Sequence, residues 1–167
     1  MGLIASLITV PAGSATADGS QGSAAAAHTS EVQAASTGTG YWMLDDDGEV
    51  YAFGDAEDLG DATRFATSSG FAGLIPTVTG QGYWILTRSG FLLEFGDAAD
   101  HGNPRDQRAG SSLFSSAIAT PSGLGLWAFT ADGQVIALGD ATHHGDLTGL
   151  SINGEIVDAA LTPSGGG

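Results

Sequence analysis

Gly40-Tyr41-Trp42-Met43-Leu44, then Asp47-Gly48, then Phe53-Gly54-Asp55-Ala56: this phrase occurs three times in a chain of 167 residues. It returns as Gly82-Tyr83-Trp84-Ile85-Leu86, Ser89-Gly90 and Phe95-Gly96-Asp97-Ala98. The third copy reads Gly125-Leu126-Trp127-Ala128-Phe129, Asp132-Gly133 and Leu138-Gly139-Asp140-Ala141. The tryptophans, like the Gly-Asp-Ala triplets, fall 42 and then 43 residues apart. A fixed period of this length is the mark of stacked supersecondary units, and it decides the fold before any single residue is considered.

Each copy divides in the same way. A first apolar segment spans 71–79, 114–121 and 156–163, with a weaker version from Glu31 to Thr37, and each is followed by Gly-x-Gly. The second segment alternates: Trp42 and Leu44 point one way, Tyr41 and Met43 the other, as the two-residue period of a strand requires. Asp47-Gly48, Ser89-Gly90 and Asp132-Gly133 then signal hairpins. In the third segment Val50 and Ala52 share one face, in columns with Leu92/Glu94 and Val135/Ala137, while Tyr51 and Phe53 share the other. No stretch has sustained helical periodicity with caps, so the chain is expected to be all-β.

Three strands and a short fourth in about 42 residues match the blade of a β-propeller. The expected fold is therefore an array of four-stranded blades, three complete, plus the first strand of a fourth. A recurring tryptophan buries about 150–250 Å², an upper bound of roughly 4–6 kcal/mol at about 25 cal/mol/Å², enough to wedge one blade against the next. Closed propellers have about four to eight blades. The expectation is thus a piece of a longer array, with closure by homo-oligomerisation as the alternative.

Composition narrows the partners. Four arginines (Arg64, Arg88, Arg105, Arg108) and no lysine stand against 19 acidic residues, a formal charge of −15. Such a surface repels phosphate backbones and anionic lipid, and favours neutral or cationic partners. The absence of cysteine excludes disulfides and thiolate metal sites. At the start, an apolar run from Leu3 to Val10, a Pro11-Ala12-Gly13-Ser14 break and Ala15-Thr16-Ala17 follow the grammar of a secretory signal peptide over 1–17, without the usual basic residue before the run. The apolar run is too short to span a membrane. Residues 18–29 read as a Gly/Ser/Ala linker, leaving 30–167 as the repeat region.

The repeated phrase resembles a repeat of secreted actinobacterial proteins, whose units read Gly-Tyr-Trp-Leu-Val-Ala-Ser-Asp-Gly-Gly-Val-Phe-Ala-Phe-Gly-Asp-Ala with a Thr-Pro-(Asp/Ser)-Gly turn. Thr120-Pro121-Ser122-Gly123 and Thr162-Pro163-Ser164-Gly165 match that turn, and the resemblance covers about residues 30–167. It implies a propeller-like extracellular region, often joined to cell-wall hydrolase or other catalytic modules. Two departures stand out. The family places an aromatic pair where this chain has Asp58-Leu59, Asp100-His101 and His143-His144, and Glu94 replaces a small residue.

The residue chemistry names no catalytic, cofactor-binding or metal-ligating residue. Asp55, Asp97 and Asp140 recur once per unit, as turn-fixing residues do and a catalytic acid does not. Asp45-Asp46-Asp47-Gly48-Glu49 lacks the spacing of a calcium loop, in which glycine is sixth and an acid twelfth, and reads as a solvated turn. His101 and His144 hold equivalent columns in different units, which disfavours a shared metal. The expected function is a non-catalytic, secreted module that binds or scaffolds at the cell surface or wall, its partner a glycan, a wall component, a protein or a fused catalytic domain. The alternative is a propeller-type glycan-active enzyme with its site at the central channel, drawing on residues unique to one blade such as Glu94 or His143. A choline-binding-type solenoid is a third reading, at odds with the repeat length. Function is expected where the copies disagree: 45–49, Glu94, 100–101 and 143–144.

Overall fold

The computed structural model describes the backbone of residues 31–34 and the full residues 39–65 and 68–162. The signal-peptide and linker readings, over 1–17 and 18–29, lie outside the described residues. The fold is all-β, in three small antiparallel sheets of three strands each. Unit one holds β1 (Glu31–Ala34), β2 (Tyr41–Leu44) and β3 (Val50–Phe53). Unit two holds β4 (Phe71–Pro76), β5 (Gly82–Thr87) and β6 (Leu92–Gly96), and unit three β7 (Phe114–Ala119), β8 (Gly125–Thr130) and β9 (Val135–Gly139). Trp42 pairs with Ala52, Trp84 with Glu94 and Trp127 with Ala137, so the columns read from the alternation hold in the register.

The hairpin between second and third strands is a turn that only its glycine closes in the left-handed region, at φ +90° in Gly90. A side chain there is barred twice, because the ring of Phe114 from the next unit lies against the turn. The turn thus joins one sheet internally and forms a seat for the next.

Two clusters make up the core, and both lie between units. Trp42 and Leu44, on one face of unit one, pack with Tyr83 and Ile85 on the facing side of unit two. Trp84, Leu86 and Leu92, on the opposite face of unit two, pack with Leu126, Ala128, Ile136 and Leu138 of unit three. The middle sheet is therefore covered on both sides, and every residue of β5 is buried. This explains why alternation is so weak in β5: a strand buried on both faces has no solvent side to mark with polar residues.

Two expectations are corrected. The fourth strand of each blade is absent among the described residues. After Gly-Asp-Ala the chain satisfies its backbone groups locally instead, with the Gly60 and Gly102 N–H groups bonded to the Asp58 and Asp100 carboxylates at 3.1 and 2.8 Å. Backbone to backbone it meets the hairpin at single points: Ala62 N–H to the Gly48 carbonyl at 2.8 Å and Leu147 N–H to the Gly133 carbonyl at 2.9 Å. In unit two that column holds Pro104, which has no N–H to give, and Arg105 bonds Gly90 at 3.2 Å instead. The opening strand of a fourth unit is also not formed over 156–162. Its first backbone bond is present, Ile156 N–H to the Ala131 carbonyl at 2.9 Å, matching Phe114 to Arg88. Further pairing needs a second strand beside it, and the chain offers none among the described residues.

Candidate functional site

The recurring polar groups are all engaged in holding their own unit. Asp97 accepts from the Thr77 hydroxyl at 2.8 Å and the Thr79 hydroxyl at 2.6 Å, so it latches the end of β6 to the turn that precedes β5. Asp140 does the same with Thr120 and Ser122, at 2.9 and 2.6 Å, and Asp55 accepts from Thr39 at 2.5 Å. These are side-chain bonds across the sheet, made to hydroxyls of the turn before the second strand. The Ser122 hydroxyl, with Thr120 behind it, holds the Asp140 carboxyl below its ordinary range. That stabilisation is present at neutral pH and is lost only as acid protonates the folded carboxylate. The tryptophans are fastened too: Trp42, Trp84 and Trp127 donate their indole N–H to the Glu57, Ala99 and Thr142 carbonyls at 2.8, 2.8 and 2.7 Å.

The acidic hairpin divides by residue. Asp45 is buried and accepts from the Asp47 and Glu49 N–H groups at 3.0 and 2.9 Å. Thr87 and Thr130 do the same work in the other units, each taking the N–H four residues on at 2.9 Å. Asp45 is thus an oxygen cap in a hairpin, while Asp46, Asp47 and Glu49 are exposed, as expected for a solvated turn. Tyr51 donates to Glu49 at 3.0 Å and Asp45 at 3.2 Å. The Glu49 bond leads in raising its phenol to about 12, with burial and the Asp45 charge adding to it.

The histidines do not converge. His101 lies on the Trp84 ring with centroids 5.7 Å apart, and His144 on Trp127 at 6.3 Å. His143 faces Asp146 at 3.4 Å. No group of three His, Asp or Glu suited to a metal occurs among the described residues. Glu94 stands opposite Trp84 at an exposed position, and partial desolvation raises its carboxyl above the ordinary range, with a bond from its own backbone N–H and the His101 charge opposing and the Asp100 charge adding. A raised folded value means that ionising Glu94 costs more in the folded state than in the unfolded chain, so stability falls as pH rises past the ordinary carboxylate range. Glu94→Gln is therefore expected to raise the thermal midpoint at neutral pH. The gain should vanish in acid, where Glu94 is protonated in both states. Equal gains at both pH values would show that charge is not the cause.

What remains open to a ligand is aromatic. On unit one, Tyr41 and Phe53 stack at 5.0 Å and stand 41% and 38% exposed, with Tyr51 beside them at 39%. On unit three, the buried Trp127, the half-buried Phe129, Val135 and Ile118, and the exposed His144 form one side of a groove of about 150 Å³, with residues 160–162 on the other. A second groove of about 310 Å³ runs between β4 and β7, and of its lining side chains only Asp158 is titratable. Of the positions where the copies disagree, His144 lines the groove on unit three. The rest of these faces carries the repeat's own core columns, which lie at either end of the described array. Comparison of the chain with protein-family models and with curated proteins returned no match.

Proposed function

We propose that the chain is a propeller-type module of the secreted Gly-Tyr-Trp…Phe-Gly-Asp-Ala kind, exported from the cell, and that it binds or scaffolds at the cell surface or wall without catalysing a reaction. The observation that carries this reading is the full engagement of the recurring polar side chains. Asp97, Asp140 and the three indoles spend their hydrogen bonds on their own unit, while aromatic rings are left at the surface. Support for the propeller arrangement comes from the first strands: β1 lies against β4 and β4 against β7, as inner strands do around a common axis. The side chains lining the groove between β4 and β7 are mainly aliphatic, with Asp158 as their one acid, while about half of its open surface is polar, and neither Glu94 nor His143 lines it. A groove with one carboxyl suits a neutral hydrogen-bonding ligand better than acid–base work.

Exposed aromatic rings on a strongly acidic surface favour a neutral glycan or a cationic segment of the wall. The full chain is expected to sediment with purified actinobacterial cell walls, and to be released by soluble wall glycan rather than by salt alone. Release by salt alone would point to a cationic partner. No retention on walls at micromolar concentration would remove the wall-binding reading.

A further inference from the structure

The contact between units one and two has two halves, and the same columns recur at the two ends of the described array. Inside the chain, Tyr83 of unit two crosses Trp42 of unit one with ring centroids 5.4 Å apart at 60°. Its hydroxyl donates to the Gly60 carbonyl at 2.5 Å. The Phe95 ring covers the same glycine, 3.3 Å from where a Cβ would stand. Tyr41 and Phe53 occupy the columns of Tyr83 and Phe95, but on the exposed face of unit one. At the other end, the groove beside Trp127 includes Gly145, which holds the column of Gly60.

We propose that these two faces join head to tail between two copies of this chain. The Tyr41–Phe53 face of one copy fills the groove beside Trp127 of the other, and the Tyr41 hydroxyl donates to the Gly145 carbonyl across the joint, so that a second copy and a wall glycan compete for these rings. The occupant is a second copy because the joint repeats the contact between units one and two, with Tyr41 and Phe53 in the columns of Tyr83 and Phe95; between units two and three those columns hold Leu126 and Leu138. Apolar area also argues for it: exposed large aromatics grouped on one sheet face mark an interaction surface.

Residues 156–162 run where a docked unit carries its inner strand. By the register of β7 on β8, Ala159 comes opposite Met43 of the second copy, in place of Val32. A contact between unlike faces is heterologous, so it closes into a ring or runs on as a filament. Two copies supply six units, within the range of about four to eight that closes a propeller. That closure rests on the propeller reading; the joint itself rests only on the packing between units.

Analytical ultracentrifugation of the full chain tests the joint. The expected result is a concentration-dependent dimer. Tyr41→Phe removes one hydroxyl bond and is expected to weaken association about 3–10-fold. Tyr41→Asp and Phe129→Glu are each expected to give monomers with unchanged far-UV circular dichroism; the urea midpoint should hold for the exposed Tyr41 and fall only modestly for the half-buried Phe129. Mixed together, they should form a dimer through the one intact joint. A wild type that stays monomeric at high micromolar concentration overturns the proposal, and so does association that neither variant disturbs. Open-ended oligomers abolished by both variants would uphold the joint and overturn the six-unit ring, and with it the propeller closure.

The strand position has its own test. The chain has no cysteine, and antiparallel partners stand about 4.5–5.5 Å apart, within disulfide range. The Met43→Cys/Ala159→Cys double variant should therefore oxidise to a covalent dimer. Association without that crosslink would show that the second copy keeps its own inner strand.

Discussion

Alanine in place of Trp84 is expected to lower the unfolding free energy by about 3–5 kcal/mol, the range for a large aromatic removed from a packed core. Trp84 is 1% exposed at the centre of the cluster between units two and three. The same substitution at Trp127 is the informative comparison. Both indoles make the same bond within their unit, to the Ala99 and Thr142 carbonyls at 2.8 and 2.7 Å. They differ in what lies beyond: Trp84 meets the next sheet, whereas Trp127 borders the open groove. Trp127→Ala should therefore cost less, since its outer side meets His144 and a groove rather than a packed sheet. Urea unfolding followed by far-UV circular dichroism, at a concentration where the chain is monomeric, reads the difference. Equal losses would mean that the tryptophan serves its own unit and that packing between units contributes little. A shallower, broader transition for Trp84→Ala is expected as well, because removing the central contact uncouples neighbours in a linear array.

Gly96→Ala is expected to destabilise by about 2–5 kcal/mol, from two additive causes. Gly96 sits at φ +63°, a left-handed conformation that a Cβ disfavours. It also pairs directly with Gly82, and a Cβ on Gly96 would lie 2.8 Å from the Gly82 Cα and still closer to the Gln81 carbonyl oxygen. Backbone cannot move aside there without opening the Asp97 latch. Gly102 separates the two causes: its φ is +75°, but nothing lies within 4 Å of an added Cβ. Gly102→Ala should cost only the conformational part, about 1–2 kcal/mol. Thermal unfolding of the pair measures the close approach by difference, and indistinguishable midpoints would deny it.

These glycines show how much of the fold was legible. Gly82 and Gly96 are separated in the sequence by a strand, a turn and a strand, and recurrence alone marked both as necessary. The reason became visible only in the register that sets one against the other. The fourth strand was over-read for the opposite reason. The segments after Gly-Asp-Ala contain short apolar residues and glycines that suit a strand, but Asp58, Asp100 and Asp146 take the local N–H groups for themselves. A backbone satisfied by its own side chains has less to gain from a ladder.

The candidate sites divide similarly. Asp47 in its exposed hairpin and the separated histidines were readable, because turn chemistry and column position are local facts. Asp45 was not, since its equivalence to Thr87 and Thr130 rests on geometry: a carboxylate and a hydroxyl have little in common as letters, yet each places an oxygen at the same N–H. Glu94 was singled out by its odd column, and the structure adds the desolvation that raises its carboxyl.

By itself the sequence determined most of the unit: three of its four expected strands, the hairpin turns, and which residues share a face. Those follow from a two-residue period and from turn residues acting on near neighbours. Only the tertiary structure decided which faces are covered. Tyr41 and Tyr83 are the same residue in the same column, one 41% exposed and the other fully buried. Local sequence cannot separate them, because burial belongs to whatever stacks on the face. The Asp97 latch is likewise a tertiary fact, made with hydroxyls 18 and 20 residues away. Strand and turn are written in adjacent residues; solvent is excluded, or admitted, by the neighbouring sheet.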